Sequence, residues 1–238
     1  NVAPENEYLS SADGILYNKD KSELIKCPIG KTITSLTLPA SVRKIGLYAF
    51  QNSSISALTV EGPVSIEYGA LMYCTKLKDI SFGGAVEADN AAFQYVGSEL
   101  GEGIYVSPIV FPAGSSLAAN EGSDPMFKGS KVREVTFSGD ITVPENCFKG
   151  NETLKSLTFS GKANFGIDSV ADCTELDSIE FKSAHPGTFA ITSFGVYDKN
   201  SETTTNTDVK ITVPMGVLTS YKSAANNVTD ENENNLKF

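Results

Sequence analysis

Residues Arg43 to Ser53 read "RKIGLYAFQNS". An Ile45-Gly46 pair stands just before Ala49-Phe50 in otherwise polar surroundings. The stretch is too short for an amphipathic helix and too irregular for an alternating strand. It is either a local accident or one tooth of a longer pattern, and that choice decides the fold.

The chain carries a repeat. The triplets "LTL" (Leu36 to Leu38), "LTV" (Leu58 to Val60) and "ISF" (Ile80 to Phe82) begin 22 residues apart. So do "VTF" (Val135 to Phe137), "LTF" (Leu157 to Phe159) and "IEF" (Ile179 to Phe181). "IVF", Ile109 to Phe111, bridges the middle with steps of 29 and 26. "ITV", Ile211 to Val213, follows 32 residues after Ile179. Other apolar positions keep the same phase. One column holds Ile55, Leu77, Val132, Leu154 and Leu176. A second holds Phe50, Leu71, Phe93, Phe127, Phe148 and Val170. A third holds Ile45, Ile66, Val143 and Phe165, with Ala88 its weakest member.

One unit alone cannot bury these teeth, whereas stacked units can, because each lands on its counterpart. In Leu77 to Phe82, Ile80 and Phe82 point inward while Asp79 and Ser81 point outward. Gly62, Gly84, Gly139 and Gly161 follow the strands, where tight turns are expected. The expected fold is a leucine-rich repeat solenoid, α/β by class but mostly β and coil. It would be a right-handed superhelix of about seven rungs with a parallel sheet on one face.

The whole chain, 1–238, reads as one such domain. Residues 8–28 predict an N-terminal β-hairpin cap, with Ile15 to Tyr17 and Leu24 to Cys27 as arms around "NKDKS". The repeats span 29–182, with insertions at 94–108 and 112–131. Residues 183–238 form a C-terminal strand-helix cap and tail. There Val209 to Val213 is a strand, and a short helix carries Val217, Leu218 and Tyr221 on one side.

Composition excludes several function classes. The net charge is −10, from 19 basic and 29 acidic residues. Binding nucleic acid needs clustered Lys and Arg, so that partner is excluded, and anionic lipid is disfavoured. No apolar run approaches a membrane span. The polar start "NVAPENEYLSS" suits a mature or trimmed product, so membrane attachment is expected only through a lipid anchor outside this chain.

Several quoted stretches carry a family resemblance. "SVRKIGLYAFQNSSISALTV" resembles the BspA-type (Treponema pallidum-type) leucine-rich repeat of bacterial surface proteins. "DGILYNKDKSELIKCPIGK" is similar to the hairpin unit preceding such repeats, and "ITVPMGVLTSYKSA" to their terminal unit. The resemblance covers roughly residues 8–225. It implies export to the cell surface, often as a lipoprotein, in bacteria like the gut and oral Bacteroidetes. It also implies adhesion or host and matrix protein binding, with no enzymatic activity and no fixed functional residues.

The residues themselves carry no catalytic motif either. The one histidine, His185, stands beside Pro186 with no GxSxG elbow to serve, and a single histidine cannot make HExxH. "GKT" at Gly30 to Thr32 lacks the earlier glycine of a phosphate loop, since Ile25 stands there. "DENEN" at Asp230 to Asn234 lacks both the glycine and the closing acid of a calcium loop. No catalytic residue, metal ligand or cofactor site is expected. Cys27, Cys74, Cys147 and Cys173 show no CxxC spacing. Cys74 and Cys173 share a slot four rungs apart, about 19 Å at roughly 4.8 Å per rung, too far for a disulfide. Cys147 and Cys173 lie in adjacent rungs at different slots, which leaves that pairing open.

Two features remain as binding candidates. The outward mid-strand residues form a column of Thr37, Thr59, Ser81, Val110, Thr136, Thr158 and Glu180. Either it is a partner-binding face, or Thr simply suits a half-exposed strand and bonds across rungs. The insertions offer Tyr95 and Tyr105 as aromatic anchors, or are tolerated drift on a robust scaffold. The expected function is a secreted or surface-anchored binding module for a protein or matrix partner. The alternative is a glycan-binding accessory of a polysaccharide-uptake system, which the absence of Trp weakens.

Overall fold

The computed structural model describes residues 1–30, 33–118, 124–190, 193 and 209–226. The chain opens with β1 (Leu9–Ala12), β2 (Ile15–Asn18) and β3 (Glu23–Lys26). Each rung then supplies two strands. Rung one gives β4 (Ser35–Leu38) and β5 (Lys44–Ile45), and rung two β6 (Ala57–Val60) and β7 (Val64–Ile66). Rung three gives β8 (Asp79–Phe82) and β9 (Val86–Ala88), and rung four β10 (Ile109–Phe111) and β11 (Ser116–Leu117). Rung five gives β12 (Glu134–Phe137) and β13 (Ile141–Val143), and rung six β14 (Ser156–Phe159) and β15 (Ala163–Phe165). β16 (Ser178–Phe181), β17 (Lys210–Thr212) and helix α1 (Leu218–Asn226) end the fold.

The repeat triplets form the first sheet, in parallel ladders β4-β6-β8 and β10-β12-β14-β16-β17. Their register keeps the 22-residue phase, with Leu36 on Leu58 on Ile80 and Val135 on Leu157 on Ile179. A second parallel sheet adds to the expected architecture. It runs β3-β5-β7-β9-β11, with β13-β15 beyond. It is built from the third apolar column, where Ile45 pairs with Ile66 and Ile66 with Ala88. Strands this short depend on their pairing with the rungs on either side. Each sheet is interrupted once, the first between β8 and β10 and the second between β11 and β13.

The third side of the rungs is a turn with two left-handed slots, both filled in every rung but the fourth, where Pro125 stands in the first. The first holds Tyr48, Gly69, Ala91, Asn146 and Asp168, with φ between 50° and 60°. The second holds Asn52, Tyr73, Tyr95, Gly129, Gly150 and Asp172, with φ between 56° and 65°. Gly, Asn and Asp tolerate this region most readily, and the packed turns hold Tyr48, Tyr73, Ala91 and Tyr95 in it as well. In "RKIGLYAFQNS" the left-handed residues are therefore Tyr48 and Asn52 rather than Gly46. Gly46 is instead packed against the Leu24 carbonyl, which accepts from its N–H at 2.9 Å. The glycines after the strands also serve packing. A Cβ on Gly161 would overlap the Gly139 backbone, and one on Gly84 the Gly62–Pro63 backbone.

The core is a set of stacked columns. Phe82, Phe111, Phe137, Phe159 and Phe181 follow one another at centroid spacings of 5.8, 5.1, 5.3 and 5.4 Å. On the turn side, Phe93, Phe127 and Phe148 stack at 5.0 and 4.5 Å. Phe50 and Leu71 occupy the same buried column earlier. A polar spine runs beside it. Cys74 Sγ donates to the Phe50 carbonyl, Asn151 Nδ2 to that of Phe127 and Cys173 Sγ to that of Phe148, each at 3.1 Å.

The N-terminal cap has one strand more than expected. β1 and β2 turn at Asp13-Gly14, both at positive φ, the pair favoured by a tight two-residue hairpin. β3 then joins β5 in the second sheet and buries Leu24 on the core. At the other end, the Tyr221 ring lies 5.2 Å from Phe181, and its hydroxyl donates to the Ser183 carbonyl at 2.8 Å. Val217 and Ala224 pack beside it. Leu218 is 48% exposed and faces away from that side, because the i, i+4, i+7 stripe runs through Val217, Tyr221 and Ala224. Lys31 and Thr32 of "GKT" and the whole of "DENEN" lie outside the described residues.

Candidate functional site

The outward column is a real geometric feature of the first sheet. Thr37 pairs with Thr59 and Thr59 with Ser81. Beyond the interruption, Val110, Thr136, Thr158, Glu180 and Thr212 continue it in register. Thr37, Thr59, Ser81 and Val110 are exposed, and Thr136, Thr158 and Glu180 are half-buried. The period-two alternation puts Leu58, Val60, Val135 and Phe137 into the core and leaves these side chains outside. Part of the hydroxyl capacity is used within the ladder, where Ser81 Oγ donates to Thr59 Oγ1 at 3.1 Å.

Charges frame this face. Asp79 accepts from Ser107 Oγ across the interruption. Glu180 pairs with Lys182 at 3.4 Å, and Lys155 with Asp177 at 2.8 Å. These pairs are largely solvated and contribute little to stability. On the second sheet Lys44 sits between Glu67 at 2.6 Å and Glu23 at 3.4 Å. The Glu67 carboxylate is the main cause that raises the Lys44 ammonium above its ordinary range.

The two candidate tyrosines stand in different settings. Tyr95 occupies the second left-handed slot of the rung-three turn, so it belongs to the regular repeat. Its ring stacks on Tyr73 at 4.7 Å and 7°. Tyr105 carries the Arg133 guanidinium 4.3 Å over its ring. Sequence reasoning missed Tyr73, which is 39% exposed. Its shared slot with Tyr95, 22 residues away, was the available signal. Tyr48 and Tyr68 add an edge-to-face pair at 5.6 Å on the same turn side.

His185 is exposed, and its N–H donates to Ser183 Oγ at 3.1 Å. None of the four cysteines forms a disulfide, Cys147 and Cys173 included, and all four are buried. Burial pushes the Cys74 and Cys173 thiols up to about 12, and the Cys147 thiol well up too. Such thiols are poor nucleophiles. Among the described residues no helix is long and apolar enough to cross a membrane.

The comparisons with known proteins agree with the rung geometry. The family model described as "BspA type Leucine rich repeat region" matches in six copies over residues 30–107 and 109–196. No curated protein and no solved structure matches. A leucine-rich repeat solenoid is generally a non-catalytic binding scaffold. With most of its length matched by those copies and the same period visible in both sheets, the chain belongs to the BspA-type leucine-rich repeat family.

Proposed function

We propose that this chain is a non-catalytic binding module at the surface of, or secreted by, a bacterium, and that its partner is a protein of a host, a matrix or another surface. The observation that carries the reading is the outward column of the first sheet. Thr37, Thr59 and Ser81 and, past the break in the sheet and past Val110, Thr136, Thr158 and Glu180 present two runs of mostly short polar side chains on a rigid support. A flat row of this kind meets a protein surface without ordering long side chains, which lowers the entropy cost of association. Tyr95 and Tyr105 are assigned to the same binding role as aromatic anchors. The family supports export and adhesion as the setting.

The test is a panel of extracellular-matrix proteins beside a glycan array, read as saturable binding. The expected result is binding to at least one protein, weakened about tenfold or more in Thr59→Lys and Thr158→Lys, since a charge at an interface core is disfavoured. Saturable binding to several glycans with none to protein would replace this reading with glycan capture for a polysaccharide-uptake system.

A further inference from the structure

The N-terminal cap closes the second sheet and leaves the first open. β3 lies beside β5 at the level before rung one. No described strand occupies the matching place beside β4. On its inner edge, β4 is fully engaged: the Thr34 and Leu38 carbonyls accept from Ala57 and Glu61 at 2.9 and 3.0 Å. Alternate residues of a strand direct their backbone groups to opposite neighbours, so the N–H and C=O of Ser35 and Thr37 point to the open side. Among the described residues nothing bonds them.

The apolar columns end unfinished at the same place. Leu36 and Ile33 are half-buried, while their counterparts Leu58, Ile80, Ile55 and Leu77 are buried. The edge also lacks the usual protection. β4 carries no charge and no bulge, whereas β17 at the far end carries exposed Lys210; a proline follows each, Pro39 and Pro214, outside the strand itself.

We infer that the free edge of β4 is a docking site for one extended peptide strand with apolar residues at alternate positions. Only a peptide backbone offers a donor and an acceptor at the repeat of roughly 7 Å set by two strand residues. The alternate apolar side chains complete the columns ended by Leu36 and Ile33. A second copy meeting this edge through its own β4 would bring its β5 to the level that β3 already fills, and one meeting it through β17 would bring the charged edge residue Lys210, so a single strand is the occupant. This surface is distinct from the outward face of the sheet.

The experiment uses the full chain and a fluorescein-labelled peptide of sequence KSLTFSG, which copies residues 155–161, a first-sheet strand of this protein. Fluorescence anisotropy should show saturable binding. N-methylation of the peptide at the residues copying Leu157 and Phe159 should weaken it about tenfold or more, by removing the edge bonds. Thr37→Pro should do the same, because the N–H it removes faces outward and proline is tolerated on an edge. Ser35→Pro is the second variant, and circular dichroism confirms that both keep the fold. Absence of saturable binding, or equal affinity for the methylated peptide on the native chain, would overturn the inference.

Discussion

Tyr95 lays its ring over Gly129 in the next rung, so close that a Cβ on Gly129 would stand 2.5 Å from a ring carbon. Both residues occupy the second left-handed slot, Gly129 at φ 62°. Gly150 follows in the same slot at φ 65°, with open space where its Cβ would be. The pair therefore separates two costs. Gly150→Ala should lose about 1–2 kcal/mol, the penalty of an L-residue in that region. Gly129→Ala should lose about 1 kcal/mol more from the displaced ring. Tyr95→Ala should restore much of that excess in a double-mutant cycle measured by urea unfolding. Equal losses at the two glycines would mean that the ring is not held there.

Phe50 and Phe127 should behave as core residues despite lying in turns. Both are fully buried, and Phe127 is stacked between Phe93 and Phe148. Phe50→Ala and Phe127→Ala should each cost about 3–5 kcal/mol as cavities. A loss under about 1 kcal/mol at Phe50 would mean that the rung register is wrong.

These two cases show what a 22-residue period reveals. It finds positions that must be apolar in every rung, and so it located Phe50, Leu71 and Phe127 without identifying their local structure. Ile45, Ile66 and Val143 stood out as teeth but not as strands, because two or three residues are too short to show alternation. β1 was readable from Asp13-Gly14, a strong hairpin pair, yet its residues are all half-buried and carry no apolar pattern. The outward column follows directly from the strand period. Tyr73 does not, because insertions are the usual place for aromatic anchors, while the stacked pair lies in the regular turns. The open edge of β4 depends on which sheet the cap extends, a tertiary choice that no local pattern carries.

The buried thiols set a pH dependence. Burial pushes Cys74 and Cys173 up to about 12, from an ordinary value near 9.0. The folded chain therefore holds these protons after the unfolded chain has lost them. Their stabilisation is complete below about pH 9 and is lost as pH rises towards 12. Cys74→Ala should flatten the alkaline fall in urea midpoint relative to the parent chain. In the native state at pH 8, Ellman's reagent should react with these thiols only as fast as the chain unfolds. Rapid labelling at Cys74 or Cys173 would contradict their burial.

Asn151 tests the polar spine. Its amide donates to the Phe127 carbonyl and to Ser130 Oγ, both at 3.1 Å. Its Oδ1 accepts from the Thr153 and Leu154 N–H groups, each at 3.0 Å. The residue is buried, so Asn151→Ala strands both sets of partners and should cost about 3 kcal/mol. Asn151→Cys should cost less. A thiol in the equivalent slot already donates to the preceding rung's carbonyl at Cys74 and Cys173, so the Phe127 carbonyl would keep a partner. The order expected in chemical denaturation is therefore native chain, then Asn151→Cys, then Asn151→Ala. If cysteine were no better than alanine, the carbonyl bond would contribute nothing, and the stability of this slot would come from the other bonds, to Ser130, Thr153 and Leu154.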